Sequence, residues 1–466
     1  MTPEDAILLP QELQAFLDRL VLVAPAAAAP QKLTELADQI ASLPYAPGSV
    51  VLVSLADGQM LLETVFAVLL AGHVPALLSP SLPRSRVSAV AAGVGAAAVI
   101  SARRSTDRAD RFVHRLGAVE AHTLTAHELM QPGPGHIVLL TSGTSGTSTG
   151  CLHAVRSLSR NAAWHAASIG LNASDTYLVT LPLHYSFAFV AQALAAFRTG
   201  CRLIVDGPPF SVGRFVSTVA KHEVTVSSLT PVLVGDLLQS PAELPAPLHT
   251  LTAGGAALPA ADVGRLLARH PRLELYLTYG LTEAGPRVST LAAHGESPDR
   301  WSSAGRPLPG VELTTRPQPG TDGQEVLVTS DTVMLKRLGD GGARGALVAP
   351  RTIATGDIGT VDDDGYLHLS GRSGDFVVLA GDKVNLASVR AVACSLPGVL
   401  RARTSLVAGC ATARLPEGAL ELALDLDEAS AVSEDDVRQD LYRRLSRAER
   451  PGRIVLRRVP LGSIHK

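Results

Sequence analysis

The most informative stretch of this chain is His136-Ile-Val-Leu-Leu-Thr-Ser-Gly-Thr-Ser-Gly-Thr-Ser-Thr-Gly150. Its apolar start predicts a buried strand, and ten consecutive Thr, Ser and Gly residues follow. A helix-like stretch containing His153, Arg156 and Trp164 comes next. Glycine lets successive backbone N–H groups converge and hydroxyls donate to phosphate oxygens, so residues 141–150 predict a phosphate-binding loop. A flexible Ser/Gly linker is the alternative, but a linker is not expected between a strand and a helix of one α/β layer.

The first two thirds of the chain alternate between strand and helix patterns. Ser49–Ser54 is a β-branched run, Gly58–Leu70 has helical spacing, and Ala71–Pro75 ends that helix and opens the next strand. Further predicted strands lie at Tyr177–Leu181, Cys201–Val205 and Glu223–Ser227. Such alternation predicts parallel sheets covered on both faces, and therefore the α/β class with layered sheets.

The composition changes after Pro307–Gly310. The following segment is rich in Gly and Asp turns and predicts a β-rich subdomain at about residues 310–370. A new strand is predicted at Asp375–Leu379 and a helix at Leu386–Ser395. The predicted organisation is thus an N-terminal domain, residues 1–373, and a small mobile α+β C-terminal domain, residues 374–466.

Charge and hydropathy exclude several classes of partner. The formal net charge is -2 and no basic stripe is present, so nucleic acid is not an expected partner. The longest small-apolar stretch, Ala89–Ile100, is shorter than the roughly 20 residues that cross a bilayer, so no membrane association is expected. The acidic N-terminus does not resemble a signal peptide. We expect a cytoplasmic protein whose cysteines, Cys151, Cys201, Cys394 and Cys410, are reduced thiols.

Four further motifs follow the loop in a fixed order. They are Gly254-Gly-Ala-Ala-Leu-Pro259, Tyr279-Gly-Leu-Thr-Glu283, Thr355-Gly-Asp357 and Gly371-Arg372. With the loop, they resemble the adenylate-forming superfamily, which includes acyl-CoA synthetases, adenylation domains of nonribosomal synthetases and beetle luciferases. The resemblance runs from about residue 35 to the end of the chain and is strongest for acyl- and aryl-acid CoA ligases.

The resemblance implies an acid–thiol ligase that uses ATP and Mg²⁺. A small aryl, arylacrylic or aliphatic carboxylic acid would be converted to an acyl-adenylate with release of pyrophosphate. The acyl group would then pass to the thiol of CoA or of a phosphopantetheinyl carrier protein. Two alternatives stay open, namely capture by an amine or other nitrogen nucleophile, and a degenerate homologue without catalysis.

The resemblance also implies roles for individual residues. ATP contacts fall on Thr141, Ser142, Gly143, Thr144, Ser145, Gly146, Gly254, Gly255, Ala256, Tyr279, Gly280, Asp357 and Arg372. Catalytic roles fall on Lys466, Thr282, Glu283 and His184, with Glu283 also as the metal ligand. The acyl pocket falls on Tyr185, Phe187, Ser227 and Gly254, the acceptor side on Gly381 and Lys383, and the interdomain hinge on Gly374.

Plain structural roles remain open for three of these residues. Asp357 could be a turn residue, His184 could be packed in the core, and Lys466, the last residue, could be solvated. An α-amino acid substrate is not expected, because the segment at His184 has no aspartate for its ammonium group.

The chain departs from the superfamily pattern at several positions. Thr149 stands where the loop usually carries a lysine, which removes one cationic contact to the outer phosphates of ATP. Ser388 and Arg390 stand where a Glu-x-Glu pair is common, and His465 replaces the usual Gly beside the terminal lysine.

Overall fold

Strands and helices alternate through most of the chain. The computed structural model describes residues 9–24, 31–82, 84–102, 113–124, 128–141, 149–318, 323–339, 345–372, 376–379, 382–407, 419–445 and 449–460. Within these ranges no helix is long and apolar enough to span a bilayer.

The helices are α1 (Pro10–Arg19), α2 (Leu33–Ala41), α3 (Gly58–Leu70), α4 (Arg84–Val94), α5 (Val155–Ser168), α6 (Ser186–Ala188), α7 (Ala195–Thr199), α8 (Val212–His222), α9 (Pro231–Gln239), α10 (Ala260–Arg269), α11 (Leu386–Cys394) and α12 (Glu434–Arg444). The strands to residue 307 are β1 (Val21–Leu22), β2 (Val50–Ser54), β3 (Val74–Leu77), β4 (Ala96–Ala102), β5 (Val113–Leu116), β6 (Val119–Thr123), β7 (His136–Thr141), β8 (Thr149–Ala154), β9 (Thr176–Val179), β10 (Arg202–Val205), β11 (Val226–Leu229), β12 (Thr250–Gly254), β13 (Glu274–Gly280), β14 (Arg287–Ala292) and β15 (Arg306–Pro307). The later strands are β16 (Val311–Pro317), β17 (Gln324–Ser330), β18 (Lys336–Leu338), β19 (Ala346–Ala349), β20 (Thr352–Val361), β21 (Leu367–Arg372), β22 (Phe376–Leu379), β23 (Asp382–Asn385), β24 (Val399–Val407), β25 (Ala419–Asp427) and β26 (Arg453–Val459).

Two eight-stranded sheets organise the larger part of the chain. One has the order β1-β10-β9-β11-β12-β13-β14-β15, and the other β18-β8-β7-β3-β2-β4-β6-β5. The first is parallel from β1 to β13 and antiparallel at β14 and β15. Strands β2, β9 and β11 are buried almost throughout, as expected for parallel strands covered on both faces. The predicted α/β class is therefore confirmed.

Smaller sheets follow in the later part of the chain. Strands β16, β17, β20 and β19 pair in that order, with β21 added to β20, and form the predicted β-rich subdomain. Strands β22 and β23 form an antiparallel hairpin, and β24-β25-β26 form a three-stranded sheet. A separate apolar core, which extends from Val384 to Ile454, packs α11 and α12 on this last sheet.

The chain divides into two units of contiguous packing. The first contains Met1–Thr314, Leu327–Thr355 and Val361–His368, and the second contains Thr315–Val326, Gly356–Thr360 and Leu369–Lys466. The predicted boundary between residues 373 and 374 stays a prediction, since residues 373–375 lie outside the described ranges.

Most predicted elements form, with two clear errors. The helix predicted to include His153 is wrong there, because Thr149–Ala154 is strand β8 and the helix begins at Val155. The strand predicted at Glu223–Ser227 begins instead at Val226, because Glu223 caps α8 in the left-handed conformation, with φ 52°. In both cases pairing with a neighbouring strand, rather than local pattern, fixes the register.

Candidate functional site

The ends of strands β7 and β8 hold the predicted phosphate loop. The two strands pair antiparallel from His136 opposite Ala154 to Thr141 opposite Thr149, so the loop is the connection of a hairpin. The hydroxyl oxygens of Thr141 and Thr149 lie 2.7 Å apart and close the base of the loop. The loop residues Ser142, Gly143, Thr144, Ser145 and Gly146 lie outside the described ranges.

A 3₁₀ turn at Thr282–Ala284 contacts β8 through a hydrogen bond. The carbonyl oxygen of Thr282 lies 2.9 Å from His153 Nε2, which therefore carries the proton, since a carbonyl only accepts. The hydroxyl of Thr282 is 2.9 Å from that of Ser186, at the start of α6. His153 and Thr149 lie on one face of β8, because side chains alternate along a strand. The structure therefore brings the loop strand to the predicted Tyr279–Glu283 motif.

The Glu283 carboxylate lies beside the loop strand and is nearly buried. Its Oε1 accepts a hydrogen bond from Arg337 Nη2 at 3.2 Å. Arg337 lies on β18, opposite Cys151 of the neighbouring strand β8. Burial and the nearby Glu283 charge raise the pKa of the Cys151 thiol, which stays protonated. A Cβ on Gly345 would lie 2.7 Å from both Glu283 Cδ and Arg337 Nη2, so only glycine fits over this ion pair.

The carboxyl ends of parallel strands β12 and β13 carry the other predicted nucleotide residues. Gly254 pairs with Thr278, and Tyr279 and Gly280 follow at the end of β13. Gly255 has φ +89° and, like Ala256, is exposed. A Cβ on Gly280 would lie 2.0 Å from the carbonyl oxygen of Pro286, which explains why this motif has glycine there. Ligands commonly bind at the carboxyl ends of such strands.

Aromatic residues precede and begin α6 in the predicted acyl region. The rings of His184 and Tyr185 are 4.4 Å apart, and Tyr185 is half exposed. Burial lowers the pKa of His184 to about 4, so its imidazole is neutral at pH 7. Phe187 is half-buried and stacks at 3.8 Å on the guanidinium of Arg287.

The predicted pocket residue Ser227 has a different environment. It is fully buried, and its hydroxyl donates to the carbonyl oxygen of Leu178 at 3.0 Å. That hydrogen bond joins β11 to β9 inside the sheet. The role of Ser227 in the acyl pocket stays a prediction.

The predicted ATP contacts Asp357 and Arg372 lie in the second unit. Asp357 is 5% exposed, and its Oδ1 accepts from Arg372 Nε at 3.1 Å. Lys383 lies on β23 opposite Val378 of β22. The remaining predicted residues, Gly374, Gly381 and Lys466, lie outside the described ranges.

Three residues beside the predicted site were missed by the sequence analysis. Arg337 pairs with Glu283, Arg287 lies beneath Phe187, and Asn161 of α5 binds the backbone of Arg287 through both amide atoms. A signal existed for Arg287, because it is the one charged residue of the predominantly buried strand β14. No local signal existed for Asn161, whose partner is 126 positions away.

Comparison with known sequences shows which proteins this chain resembles. The family model described as AMP-binding enzyme matches residues 29–334. A 3-[(3aS,4S,7aS)-7a-methyl-1,5-dioxo-octahydro-1H-inden-4-yl]propanoyl:CoA ligase of Mycobacterium tuberculosis is 32% identical over 64% of this chain and 58% of its own length. A 2-succinylbenzoate–CoA ligase of Bacillus licheniformis is 27% identical over 62% of this chain and 61% of its own length. The matched stretch therefore spans about three fifths of these relatives.

Solved structures share the fold over nearly the whole chain. The o-succinylbenzoate CoA synthetase MenE of Bacillus subtilis, in complex with the acyl-adenylate intermediate OSB-AMP, superposes with a TM-score of 0.78 at 20% identity. That match covers 96% of this chain and 93% of the synthetase. The amide bond synthetase McbA of Marinactinospora thermotolerans has a TM-score of 0.74 at 20% identity, covering 97% and 96%. At this identity the likeness establishes the fold.

Proposed function

Because the chain belongs to the AMP-binding enzyme family, we propose that it activates a small carboxylic acid with ATP. The acid carboxylate attacks the α-phosphate, pyrophosphate leaves, and the resulting acyl-adenylate passes its acyl group to a thiol. Reaction of this kind depends mainly on positioning and on stabilising charge that develops at the phosphate. The cytoplasm, which supplies ATP, is the proposed location.

One observation carries this proposal. Strand β8, which closes the hydroxyl-rich loop at Thr149, is bonded through His153 to the backbone of Thr282. The turn that holds Glu283 is therefore fixed against the strand that leads out of the loop. A phosphate chain bound in the loop is proposed to reach the Thr282 hydroxyl and the Glu283 carboxylate.

The residues present also fit a magnesium ion. Mg²⁺ in nucleotide sites is commonly held by one or two carboxylates together with substrate phosphates. Glu283 offers such a carboxylate, and a carboxylate accepts at both oxygens, of which Arg337 contacts Oε1. When bound, Mg²⁺ would neutralise charge on the phosphates. Arg337 adds a positive charge beside Glu283. The loop itself lacks such a charge, because it has Thr149 where a lysine is usual.

Roles in nucleotide binding and catalysis are also proposed for residues of the second unit. A bidentate carboxylate such as Asp357 suits a ribose with two hydroxyls, and Arg372 orients it. Lys466 is proposed to stabilise charge on the acid carboxylate and the α-phosphate during adenylation.

We propose that the acid is an aryl, arylacrylic or aliphatic one. Support comes from the neutral His184 and the aromatic Tyr185 and Phe187, which would form an apolar wall. The two relatives are named for bulky cyclic acids, which agrees with this class. CoA is the proposed acyl acceptor, since both relatives are named CoA ligases. The thiol of a carrier protein is the alternative acceptor for the same transfer.

Transfer to a nitrogen nucleophile is the second candidate. It is favoured by the fold shared with an amide bond synthetase and by the absence of the Glu-x-Glu pair, since one of its positions is Arg390. The guanidinium of Arg390 donates to Thr404 at 2.7 Å, so it belongs to a local contact of α11 with β24.

Acid-dependent ATP–pyrophosphate exchange over a panel of acids tests the proposal. Exchange with at least one acid is expected, and Glu283→Gln is expected to reduce it about 100-fold or more. Glu312→Gln, at an exposed position on β16, is the matched control and should leave the rate unchanged. No exchange with any acid would instead indicate a non-catalytic homologue. Product analysis with CoA and with amines then distinguishes the two acceptors.

A further inference from the structure

A buried arginine at the start of β14 is not used by the reaction described above. Arg287 is 3% exposed, and its Nη1 donates to the hydroxyl of Thr278 at 2.9 Å. Its Nε and Nη2 are buried and have no hydrogen-bond partner among the described residues. These two N–H groups lie on one edge of the guanidinium, the edge that binds a carboxylate in a bidentate manner.

The charge of Arg287 also lacks a counterion. Within the described part of the chain no carboxylate lies within ion-pairing distance of it. Burial lowers the pKa of Arg287 to about 10, so it remains a cation at pH 7. Its titratable neighbours are neutral: burial, and then the charge of Arg287, lower the pKa of His165, and burial raises that of Tyr177. An unpaired buried charge is strongly unfavourable, and proteins retain such groups mainly where a ligand pairs with them.

The position of Arg287 connects it with the acyl pocket. Its guanidinium lies under the ring of Phe187 and next to the end of β12, where a Cβ on Gly254 would be only 3.1 Å from Nη1. Glycine at 254 thus leaves room for the arginine beside the strand ends that form the proposed site. Both ring nitrogens of buried His165, whose pKa the charge of Arg287 helps to lower, also lack hydrogen-bond partners among the described residues.

We propose that Arg287 recognises a second carboxylate on the acyl substrate, at the end remote from the carboxyl group that is activated. The substrate class is then a dicarboxylic acid, and Arg287 is the specificity-determining residue. The inference rests on the proposed acid activation and adds the chemical class of the acid. Substrate entry would move the Phe187 ring, which covers the guanidinium and is itself half-buried.

Matched acid pairs test this assignment. Pyrophosphate exchange is measured for α,ω-dicarboxylates of four to ten carbons and the monocarboxylates of equal length, and for 4-(2-carboxyphenyl)butanoate against 4-phenylbutanoate. The wild type should favour the diacid in at least one pair by about tenfold or more in kcat/KM. Arg287→Gln should lower kcat/KM for that diacid by about 30- to 1000-fold and leave the monoacid within about threefold. Arg287→Lys, which keeps the charge and loses the fork, should fall between them.

Control experiments distinguish a change in substrate specificity from a loss of protein stability and from a failure of the proposed acid activation. Arg300→Gln is the matched control, because Arg300 also stacks on an aromatic ring, that of Tyr366, but pairs with Asp364 outside the site. Equal diacid preference in wild type and Arg287→Gln, or no diacid preference in any pair, overturns the inference while monoacid exchange upholds acid activation. Calorimetric binding of the favoured diacid to wild type but not to Arg287→Gln supports it independently of turnover. If neither variant folds, Gly254→Ala replaces them, because its Cβ would lie 2.4 Å from Thr278 Oγ1, which accepts from Arg287, and 3.1 Å from Arg287 Nη1. Loss of diacid preference in that variant supports the assignment, and retention overturns it.

Discussion

Replacing Asn161 by alanine should destabilise the first unit by several kcal/mol. Asn161 is fully buried on α5, and its amide forms a reciprocal pair with the backbone of Arg287, at 2.9 Å to the N–H and 2.8 Å to the carbonyl oxygen. Alanine removes the Asn161 partner of both backbone groups in the interior. Each orphaned group costs about 1–3 kcal/mol, so the free energy of unfolding should fall by about 2–6 kcal/mol.

Urea unfolding followed by tryptophan fluorescence measures this loss. Both tryptophans report on the first unit, and Trp164 lies on the same helix as Asn161. Asn172→Ala is the control, because Asn172 is exposed and bonds only within its own turn, so its loss should stay near 1 kcal/mol or less. A loss below about 1 kcal/mol for Asn161→Ala, or equal losses for the two variants, would refute the reasoning from buried hydrogen bonds.

The remaining predictions concern three other residues. Thr149→Lys should lower the KM for ATP, because it restores a cation to the loop at the cost of the bond to Thr141, and an unchanged KM in steady-state assays would contradict this. Lys466→Ala should reduce adenylation far more than thioester formation from supplied acyl-adenylate, and equal losses in the two half-reactions would remove its role. His153 has its pKa lowered by burial from 6.5 to about 4. As pH falls, this histidine therefore takes up its proton at a higher pH in the unfolded chain than in the folded one. The free energy of unfolding should be greatest above pH 6.5 and should decline towards pH 4 by up to about 1.4 kcal/mol per pH unit. Urea titrations from pH 7 to 4.5 check this, and His153→Gln should show a flatter profile.

Local patterns predicted the elements that continuous apolar runs or clear caps define. Helix α3 begins and ends where its pattern indicated, since Asp57 caps it by accepting from the N–H of Met60 at 2.9 Å. Local pattern did not predict strand β8, Thr149–Ala154, because its extended conformation comes from pairing with β7 on one side and β18 on the other. Propensity carries little weight where two neighbours supply the backbone hydrogen bonds.

For the candidate site, the sequence showed the motifs and the structure showed their contacts. The order of the loop, the Tyr279–Glu283 motif and Asp357 was visible in the sequence, whereas the hydrogen bond between Arg372 and Asp357 was found only in the structure. The role of Ser227 stays a prediction, and only the structure shows that its hydroxyl donates to the neighbouring strand β9.

The sequence by itself determined the α/β class, the family and the succession of nucleotide-binding motifs, because these reside in short segments with their own chemistry. Only the tertiary structure decided which charges meet. Arg337 reaches Glu283 from 54 positions away, and Asn161 fixes Arg287 from 126 positions away. Such contacts depend on strand order and helix packing, which bring distant segments into an interior where each polar group requires a partner.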